Sequence, residues 1–213
     1  MKKQAGFTLV EIAIVLVIIG LLLGGILKGQ EMITQAKIKN TMADYTGISA
    51  AYHGYQDRYR AIPGDDKAAT RWSGATAGDG NGVVVGTYNS TTATDESRTW
   101  WDHLRRAGFV AGNGDSQPYN AVTGQIGVQT GDGTDATPGT VLGGFGGLIM
   151  CSAGLPDKIA IAVDTQMDDG FIGTGTVRGQ RHTAGPNPTI NASADASAYA
   201  ETGTNVYTLC RAL

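Results

Sequence analysis

The amino-acid sequence predicts an α+β protein in which one long N-terminal helix precedes a head of short strands and glycine-rich loops. Residues 7–27 form an almost uninterrupted apolar run, and apolar side chains then recur every three or four positions as far as about residue 61. Beyond Pro63 the apolar segments are short and separated by turns. The 32 glycines among 213 residues are about twice the usual share of roughly 7%, which is typical of a loop-rich domain.

The first half of this helix has the length of a membrane span. At about 1.5 Å per residue, residues 7–27 extend about 31 Å, close to the roughly 30 Å hydrocarbon core of a bilayer. The basic start, Lys2 and Lys3, also suits a secretory signal peptide, but no small-x-small cleavage site follows the run. A plain signal anchor leaves Glu11 unexplained, because a carboxylate in the bilayer costs on the order of 3 kcal/mol.

The stretch GFTLVE at residues 6–11, after a short basic leader, resembles the cleavage and methylation site of type IV prepilins. That family includes pilus subunits and the pseudopilins of type II secretion. The resemblance implies that a prepilin peptidase cuts after Gly6 and methylates the new N-terminus, giving N-methylphenylalanine at Phe7. It also implies that the Glu11 carboxylate pairs with the Phe7 α-amine of a neighbouring subunit. Such a pair removes the cost of burying either charge alone.

The resemblance divides the chain into a leader at residues 1–6, a transmembrane and assembly helix at 7–27, an amphipathic half-helix at 28–61 and a globular pilin head at 62–213. It implies that the amphipathic half packs on a small antiparallel β-sheet. Pro63 and Gly64 end the helix. Lys28 stands where many pilins have a proline, so the proline signal for local melting is missing. Gly20, Gly24, Gly25 and Gly29 are present instead and leave melting of the helix near Gly20 open. Four tyrosines at helical spacing are expected in the core: Tyr45, Tyr52, Tyr55 and Tyr59.

Within the head, the sequence predicts short elements separated by turns. Residues 83–85 predict a short strand, and residues 95–108 predict a helix that is capped by Thr94 or Asp95 and stopped by Gly108. Scattered apolar residues between 110 and 142 indicate further strands, with a disordered insert as the alternative. A buried strand at 148–151, a helix that starts at residue 155 with Pro156 in its first turn and ends at Gly170, and a terminal strand at 206–210 complete the prediction.

The only two cysteines, Cys151 and Cys210, lie in two of these predicted strands. An even pair in an exported domain favours a disulfide, which would close the last third of the chain. By resemblance, a C-terminal loop closed by a disulfide is common in pilins, whereas major pseudopilins generally lack one. The pair therefore favours a pilus subunit.

Three carboxylates, Asp164, Asp168 and Asp169, fall near the C-terminus of the predicted helix, where negative charge opposes the helix dipole. A salt bridge to Arg178 or Arg181, or simple solvation, is the expected compensation. Because some pseudopilins bind Ca²⁺ in the head, a Ca²⁺ site is the alternative, although the calcium-loop pattern fails here. We therefore predict no metal.

A basic and aromatic group on the helix at 95–108 raises a second alternative. Arg98, Trp101, Arg105 and Arg106 would suit single-stranded DNA if they formed one surface. A capped helix packed on the sheet is the favoured interpretation. The formal net charge of −3 gives no reason to expect nucleic acid as a partner.

The sequence contains no catalytic or nucleotide-binding motif, so neither enzyme activity nor a cofactor is expected. The resemblance implies a structural subunit that polymerises through its N-terminal helix into a type IV pilus-like filament, a homo-oligomer. Its partners would be prepilin peptidase and an inner-membrane assembly platform. The precursor would span the inner membrane once, and the filament would be extracellular. The alternatives are a type II secretion pseudopilin, which stays periplasmic, and a membrane-anchored binding protein that never polymerises. The task of the filament is open: adhesion, motility, DNA uptake or secretion.

Overall fold

The computed structural model describes residues 8–135, 137–182, 185–190, 193 and 198–213. In chain order the elements are α1 (Leu9–Tyr59), a short 3₁₀ helix (Lys67–Arg71), α2 (Glu96–Arg106), β1 (Ile126–Thr130), β2 (Leu148–Pro156), α3 (Asp157–Met167), β3 (Val177–Arg181) and β4 (Val206–Ala212). The chain divides into two compact units, Met1–Lys37 and Ile38–Leu213. The long N-terminal helix is thus confirmed.

The described part of the first unit is the N-terminal portion of α1, and its apolar side chains are exposed. Their exposed fractions range from 45% at Ile19 to 86% at Leu9. Among the described residues, α1 is the one helix long and apolar enough to cross a membrane. Because such a surface is unfavourable in water, this segment requires lipid or other protein around it.

In the second unit, the amphipathic part of α1 lines the core. Tyr45, Tyr52 and Tyr55 are buried, which confirms their interpretation as core residues. The Tyr45 hydroxyl donates a hydrogen bond to the Leu209 carbonyl at 2.7 Å, and the Tyr55 hydroxyl donates to Asp66 Oδ2 at 2.6 Å. Because both hydroxyls have acceptors, the two rings are buried without an unpaired polar group.

The head contains a four-stranded antiparallel sheet in the order β1-β2-β4-β3. This confirms the predicted α+β class with a small antiparallel sheet. As far as Ala153, side chains of β2 alternate between two buried clusters, as the two-residue period of a strand requires, and a register shift between Ser152 and Leu155 then moves Leu155 to the other cluster. Ile149, Cys151 and Ala153 belong to one cluster, whereas Met150 and Leu155 belong to the cluster that the three helices share. Both faces of the central strand are therefore covered.

The predicted strand at residues 83–85 is wrong. These residues have no regular secondary structure. The Val84 amide donates to Thr130 Oγ1 at 2.9 Å, and the Thr130 amide donates to the Val84 carbonyl at 3.2 Å. The apolar run is thus held at the end of β1 by one side-chain and one backbone hydrogen bond. Val84 is buried by side-chain packing, without a β-ladder of backbone hydrogen bonds.

The predicted start of the helix at residue 155 is also wrong. Leu155 and Pro156 are the last residues of β2 and pair with Tyr207 and Val206 of β4, so α3 begins at Asp157. The proline precedes the helix and does not lie in its first turn. Its missing N–H is tolerated because it occupies the last position of the strand.

The region between residues 110 and 142 contributes one strand, β1, among its described residues. Val110 lies in irregular chain, and Val141 forms only an isolated bridge with Phe145. The sheet gains its fourth strand, β3, from a segment that the sequence analysis did not single out.

α2 starts after Asp95, as predicted, but the Asp95 side chain makes no capping bond to the helix. Its carboxylate instead accepts a hydrogen bond from Ser90 Oγ at 2.6 Å. Trp100, Trp101 and Leu104 are fully buried against the core. This placement supports the interpretation of α2 as a packing helix.

His103 on α2 holds the segment that follows α1. The imidazole is fully buried. Its Nδ1 accepts a hydrogen bond from the Gly64 amide at 2.9 Å, and its Nε2 donates to the Thr76 carbonyl at 2.7 Å. Since an amide can only donate and a carbonyl can only accept, these partners assign the neutral tautomer with its proton on Nε2. Burial lowers the pKa of His103 below its ordinary value.

We expect the free energy of unfolding to fall as the pH drops below about 6.5, because the unfolded chain then binds a proton that folded His103 resists. Burial lowers the pKa of His182 as well, so it acts in the same direction. Buried carboxylates with raised pKa values, such as Asp164, act in the opposite direction. The readout is therefore the difference between wild type and His103→Gln in denaturant titrations at several pH values. The variant should show a shallower loss of stability below about pH 6.5, and parallel curves would contradict the assignment.

Candidate assembly site

The N-terminal end of α1 is closed by a reciprocal set of hydrogen bonds between Thr8 and Glu11. The Thr8 amide donates to Glu11 Oε2 at 2.8 Å, and the Thr8 hydroxyl donates to the same oxygen at 2.7 Å. In return, the Glu11 amide donates to Thr8 Oγ1 at 3.3 Å. This is a capping box, in which two residues three apart satisfy amides that have no partner within the helix.

The position of Glu11 in the first turn is electrostatically favourable. A carboxylate at a helix N-terminus interacts favourably with the helix dipole. Glu11 Oε2 carries both hydrogen bonds from Thr8, and Oε1 accepts none from the described residues. One carboxylate oxygen is therefore available to an incoming cation while the other caps the helix.

The surroundings of Glu11 are apolar. Its large apolar neighbours along α1 are exposed, from 48% at Ile12 to 63% at Val10 and Leu16. An exposed apolar stripe with one carboxylate at its end can insert into lipid or pack against identical helices. In either medium a cation close to Glu11 lowers the cost of burying its charge.

Two of the predicted site residues cannot be placed. Gly6 and Phe7 lie outside the described residues. Their roles in leader cleavage and N-methylation stay predictions. The capping role of Glu11 was missed, although its signal is present: Thr8-x-x-Glu11 followed by an apolar run is the sequence pattern of a capping box.

The second predicted site, the disulfide, is confirmed. Cys151 of β2 and Cys210 of β4 are bonded, are directly paired in the sheet and are fully buried. The bond joins residues 59 apart in the sequence. It closes a loop that contains α3 and β3, so the C-terminal strand cannot leave the sheet independently.

The three carboxylates at the end of α3 come together. One oxygen from each of Asp164, Asp168 and Asp169 lies within 4.8 Å of the others. The Tyr199 hydroxyl donates to Asp164 Oδ2 at 2.6 Å, and the Val177 amide donates to Asp168 Oδ2 at 2.8 Å. Asp164 Oδ1 is buried, and no donor among the described residues meets it with good hydrogen-bond geometry. Burial raises the pKa of Asp164.

Asp169 is satisfied locally and not by an ion pair. Its two oxygens accept hydrogen bonds from the Phe171 amide at 2.9 Å and the Thr174 hydroxyl at 2.6 Å. Arg178 donates to the carbonyls of Gly175 and Leu142 instead. Arg178 was one of the predicted sources of compensation, with Arg181 and solvation as the others, and for Asp168 and Asp169 nearby amides and the Thr174 hydroxyl supply hydrogen bonds. Oxygen ligands suit Ca²⁺. A Ca²⁺ ion in this cluster remains the alternative, and the absence of a metal remains our prediction.

The basic and aromatic residues of α2 do not form an open surface. Arg98 pairs with Asp115 at 2.9 Å, and Trp101 is fully buried. Arg106 pairs with Asp102 at 2.6 Å, and Arg105 donates to the Gly114 carbonyl at 2.7 Å. Because these groups are engaged within the head, the arrangement gives no support to binding of single-stranded DNA.

Comparison with known proteins agrees with the geometry at the N-terminus. Residues 1–27 match the family model of the prokaryotic N-terminal methylation motif, the signature of type IV pilins and prepilins. No curated protein matches the chain. The motif supports a type IV pilin-like or pseudopilin protein, and the family that the motif describes is a structural, pilin-type one. The apolar N-terminal helix fits a membrane-anchored precursor.

Proposed function

We propose that this protein is a structural pilin subunit that polymerises through α1 into a type IV pilus-like filament outside the cell. The observation that carries the proposal is the methylation motif at residues 1–27, on a helix whose apolar side chains are exposed from Leu9 to Ile33. In a filament these side chains would pack against identical helices from other subunits. Before assembly they would face the lipid of the inner membrane.

A charge pair that includes Glu11 would set how far neighbouring helices are shifted along one another in this assembly. Cleavage after Gly6 would create a cationic α-amine at Phe7. An incoming subunit would place this amine near the Glu11 carboxylate of a neighbour, so that each charge neutralises the other in apolar surroundings. Prepilin peptidase and an inner-membrane assembly platform would be the partners that process the precursor and extend the filament.

The proposal assigns a role to each part of the chain. Residues 1–6 would be a leader that is removed, 7–27 the membrane and assembly segment, 28–61 the amphipathic half of the helix and 62–213 the head. The head is closed by the Cys151–Cys210 bond, which suits a filament exposed to an oxidising medium. No enzymatic step is part of the proposal.

A type II secretion pseudopilin is the second candidate, because the same motif occurs in that class. The carboxylate cluster of Asp164, Asp168 and Asp169 is the observation that favours it, since some pseudopilins hold Ca²⁺ in the head. The disulfide favours a pilus. Filaments outside the cell at native expression would separate a pilus from a periplasmic pseudopilus.

Processing tests the proposal first. We expect the intact mass of the protein from membranes or filaments to equal residues 7–213 plus one methyl group. The loss of Lys2 and Lys3 should also lower the net charge by two. A Gly6→Val variant serves as the control and should keep its leader. A wild-type chain that retains Met1 would exclude the prepilin interpretation.

A further inference from the structure

A cavity of about 280 Å³ opens on the head between α1 and the loop before β1. On the helix side, Asn40, Ala43 and Asp44 line it; they are three and four residues apart and share one face of α1. On the loop side it is lined by Tyr119, Asn120 and Ala121. The cavity is large enough for a side-chain head group or one small organic molecule.

Of the described residues that line the cavity, Asp44 alone is charged. The side chain is half-buried, and among the described residues no cation lies within ion-pair distance of its carboxylate. Partial burial raises the pKa of Asp44, and no counter-charge offsets this effect. Because a desolvated carboxylate without a partner is unfavourable, a cation in the cavity would gain more from Asp44 than from a fully solvated carboxylate.

Tyr119 forms the opposite wall and leaves 68% of its surface exposed. A tyrosine ring with this exposure can receive a cation or an aliphatic chain on its face. Asn40 is also exposed on the helix side. Its amide oxygen is a further acceptor for the N–H groups of a ligand.

The loop that carries Tyr119 is firmly held. Tyr119 pairs with Gln125 in an isolated β-bridge. The buried Asn120 side chain donates to Ser152 Oγ at 2.8 Å and to the Ala153 carbonyl at 2.7 Å. These bonds fix the loop to β2, so the wall of the cavity is formed before any ligand arrives. A preformed site loses less entropy on binding than a mobile one.

We propose that this cavity binds an organic cation, a guanidinium or primary ammonium group, whose charge rests on Asp44 and whose body lies on the ring of Tyr119. Charge-assisted hydrogen bonds to the carboxylate and contact with the ring both favour such a ligand. The hydroxyl groups of a neutral sugar could donate hydrogen bonds to the Asp44 carboxylate, but they would leave its negative charge uncompensated. The cation can come from a polypeptide side chain or from a free polyamine. The proposal does not depend on filament formation, because all residues that line the cavity belong to one subunit.

Binding can be measured on the full chain dispersed in detergent micelles, with ¹³C-labelled aspartate and tyrosine. The first probe is N-acetyl-arginine methylamide, and its uncharged counterpart N-acetyl-citrulline methylamide is the matched control. We expect saturable shifts of the Asp44 carboxyl and Tyr119 ring signals with the arginine probe alone. Asp44→Asn should abolish the response, and Tyr119→Ala should weaken binding about fivefold or more. Asp57→Asn, which removes a carboxylate elsewhere on α1, should leave binding unchanged.

Spermidine in a parallel titration distinguishes the two sources of the cation. Tighter binding of spermidine would indicate a polyamine, and tighter binding of the arginine probe would indicate a polypeptide side chain. Equal responses to the arginine and citrulline probes would overturn the proposal, as would no response to any cation. Binding of methyl glucoside that depends on Asp44 would replace it with a carbohydrate site.

Discussion

Replacing Glu11 by alanine should abolish or strongly impair filament assembly while cleavage after Gly6 continues. The single subunit should insert in the membrane at least as well as wild type, because the substitution removes a costly carboxylate. What is lost is the partner of the Phe7 amine of the neighbouring subunit. Breaking a buried pair by removing one charge typically costs about 3–5 kcal/mol, and the loss is repeated at every subunit contact. Filament yield from sheared cells, with intact-mass analysis of the membrane-bound protein, measures both effects.

The capping box requires two control variants, because Glu11→Ala also removes the hydrogen bonds to Thr8. Glu11→Gln keeps an acceptor for capping and removes the charge, since glutamine serves in the same position of a capping box. Thr8→Val keeps the charge and removes the hydroxyl, at a cost of about 1 kcal/mol in capping. We expect Glu11→Gln to fail in assembly like Glu11→Ala and Thr8→Val to assemble.

The opposite pattern would assign Glu11 a different role. If Glu11→Gln filaments were normal in length and number and Thr8→Val filaments were absent, capping of the helix would be the function of Glu11. Normal filaments from Glu11→Ala would show that neither the charge nor the cap is needed for assembly.

Removing the disulfide should destabilise the head by about 2–5 kcal/mol. The bond joins the directly paired residues Cys151 and Cys210, which are 59 apart in the sequence, so the unfolded chain gains much freedom when it is absent. The double variant Cys151→Ala, Cys210→Ala is suitable, because alanine does not bury a hydroxyl in the apolar cluster. Chemical denaturation of the full chain in detergent gives the difference in free energy.

Reduction of the wild-type protein is the matched control and should reproduce most of the loss measured for the double variant. Thiol alkylation without a reductant is the complementary test. Free reaction of both cysteines in the protein taken from its native compartment would contradict the closed C-terminal loop.

The long helix, the strands that carry the cysteines and the disulfide could be predicted from the sequence. α1 has a long apolar run followed by a helical stripe of tyrosines, and no proline interrupts either. The cysteines are the only two in the chain, so their pairing needed no choice among partners. In these cases the local pattern and the tertiary structure agree.

β3 could not be predicted, because in Val177–Arg181 a single apolar residue, the first, is followed by two arginines, a glycine and a glutamine. It is a strand because β4 offers it a hydrogen-bonding edge. The opposite error occurred at residues 83–85, where three valines favour a strand but the segment makes only one backbone hydrogen bond to β1 among the described residues, from the Thr130 amide to the Val84 carbonyl. Whether each segment forms a strand depends on pairing with residues distant in the sequence, and the local preference of a residue type carries no information about such pairing.

At the N-terminus, the sequence indicated the importance of Glu11 but suggested only one role for it. The structure adds the hydrogen bonds with Thr8, which explain how the carboxylate is held before any partner arrives. At the end of α3, the charges suggested a salt bridge to Arg178 or Arg181. In the structure, two backbone amides and one hydroxyl donate hydrogen bonds to Asp168 and Asp169. Such contacts depend on loop conformation and leave no periodic signal.

The most direct test of the account is the composition of filaments sheared from cells that express the protein at its native level. Electron microscopy with an antibody against the head, together with intact-mass analysis of the same material, locates the subunit and defines its N-terminus. We predict labelled filaments composed of chains that begin with N-methylated Phe7. Chains that keep Met1 and remain dispersed in the membrane, with no labelled filament, would contradict the account.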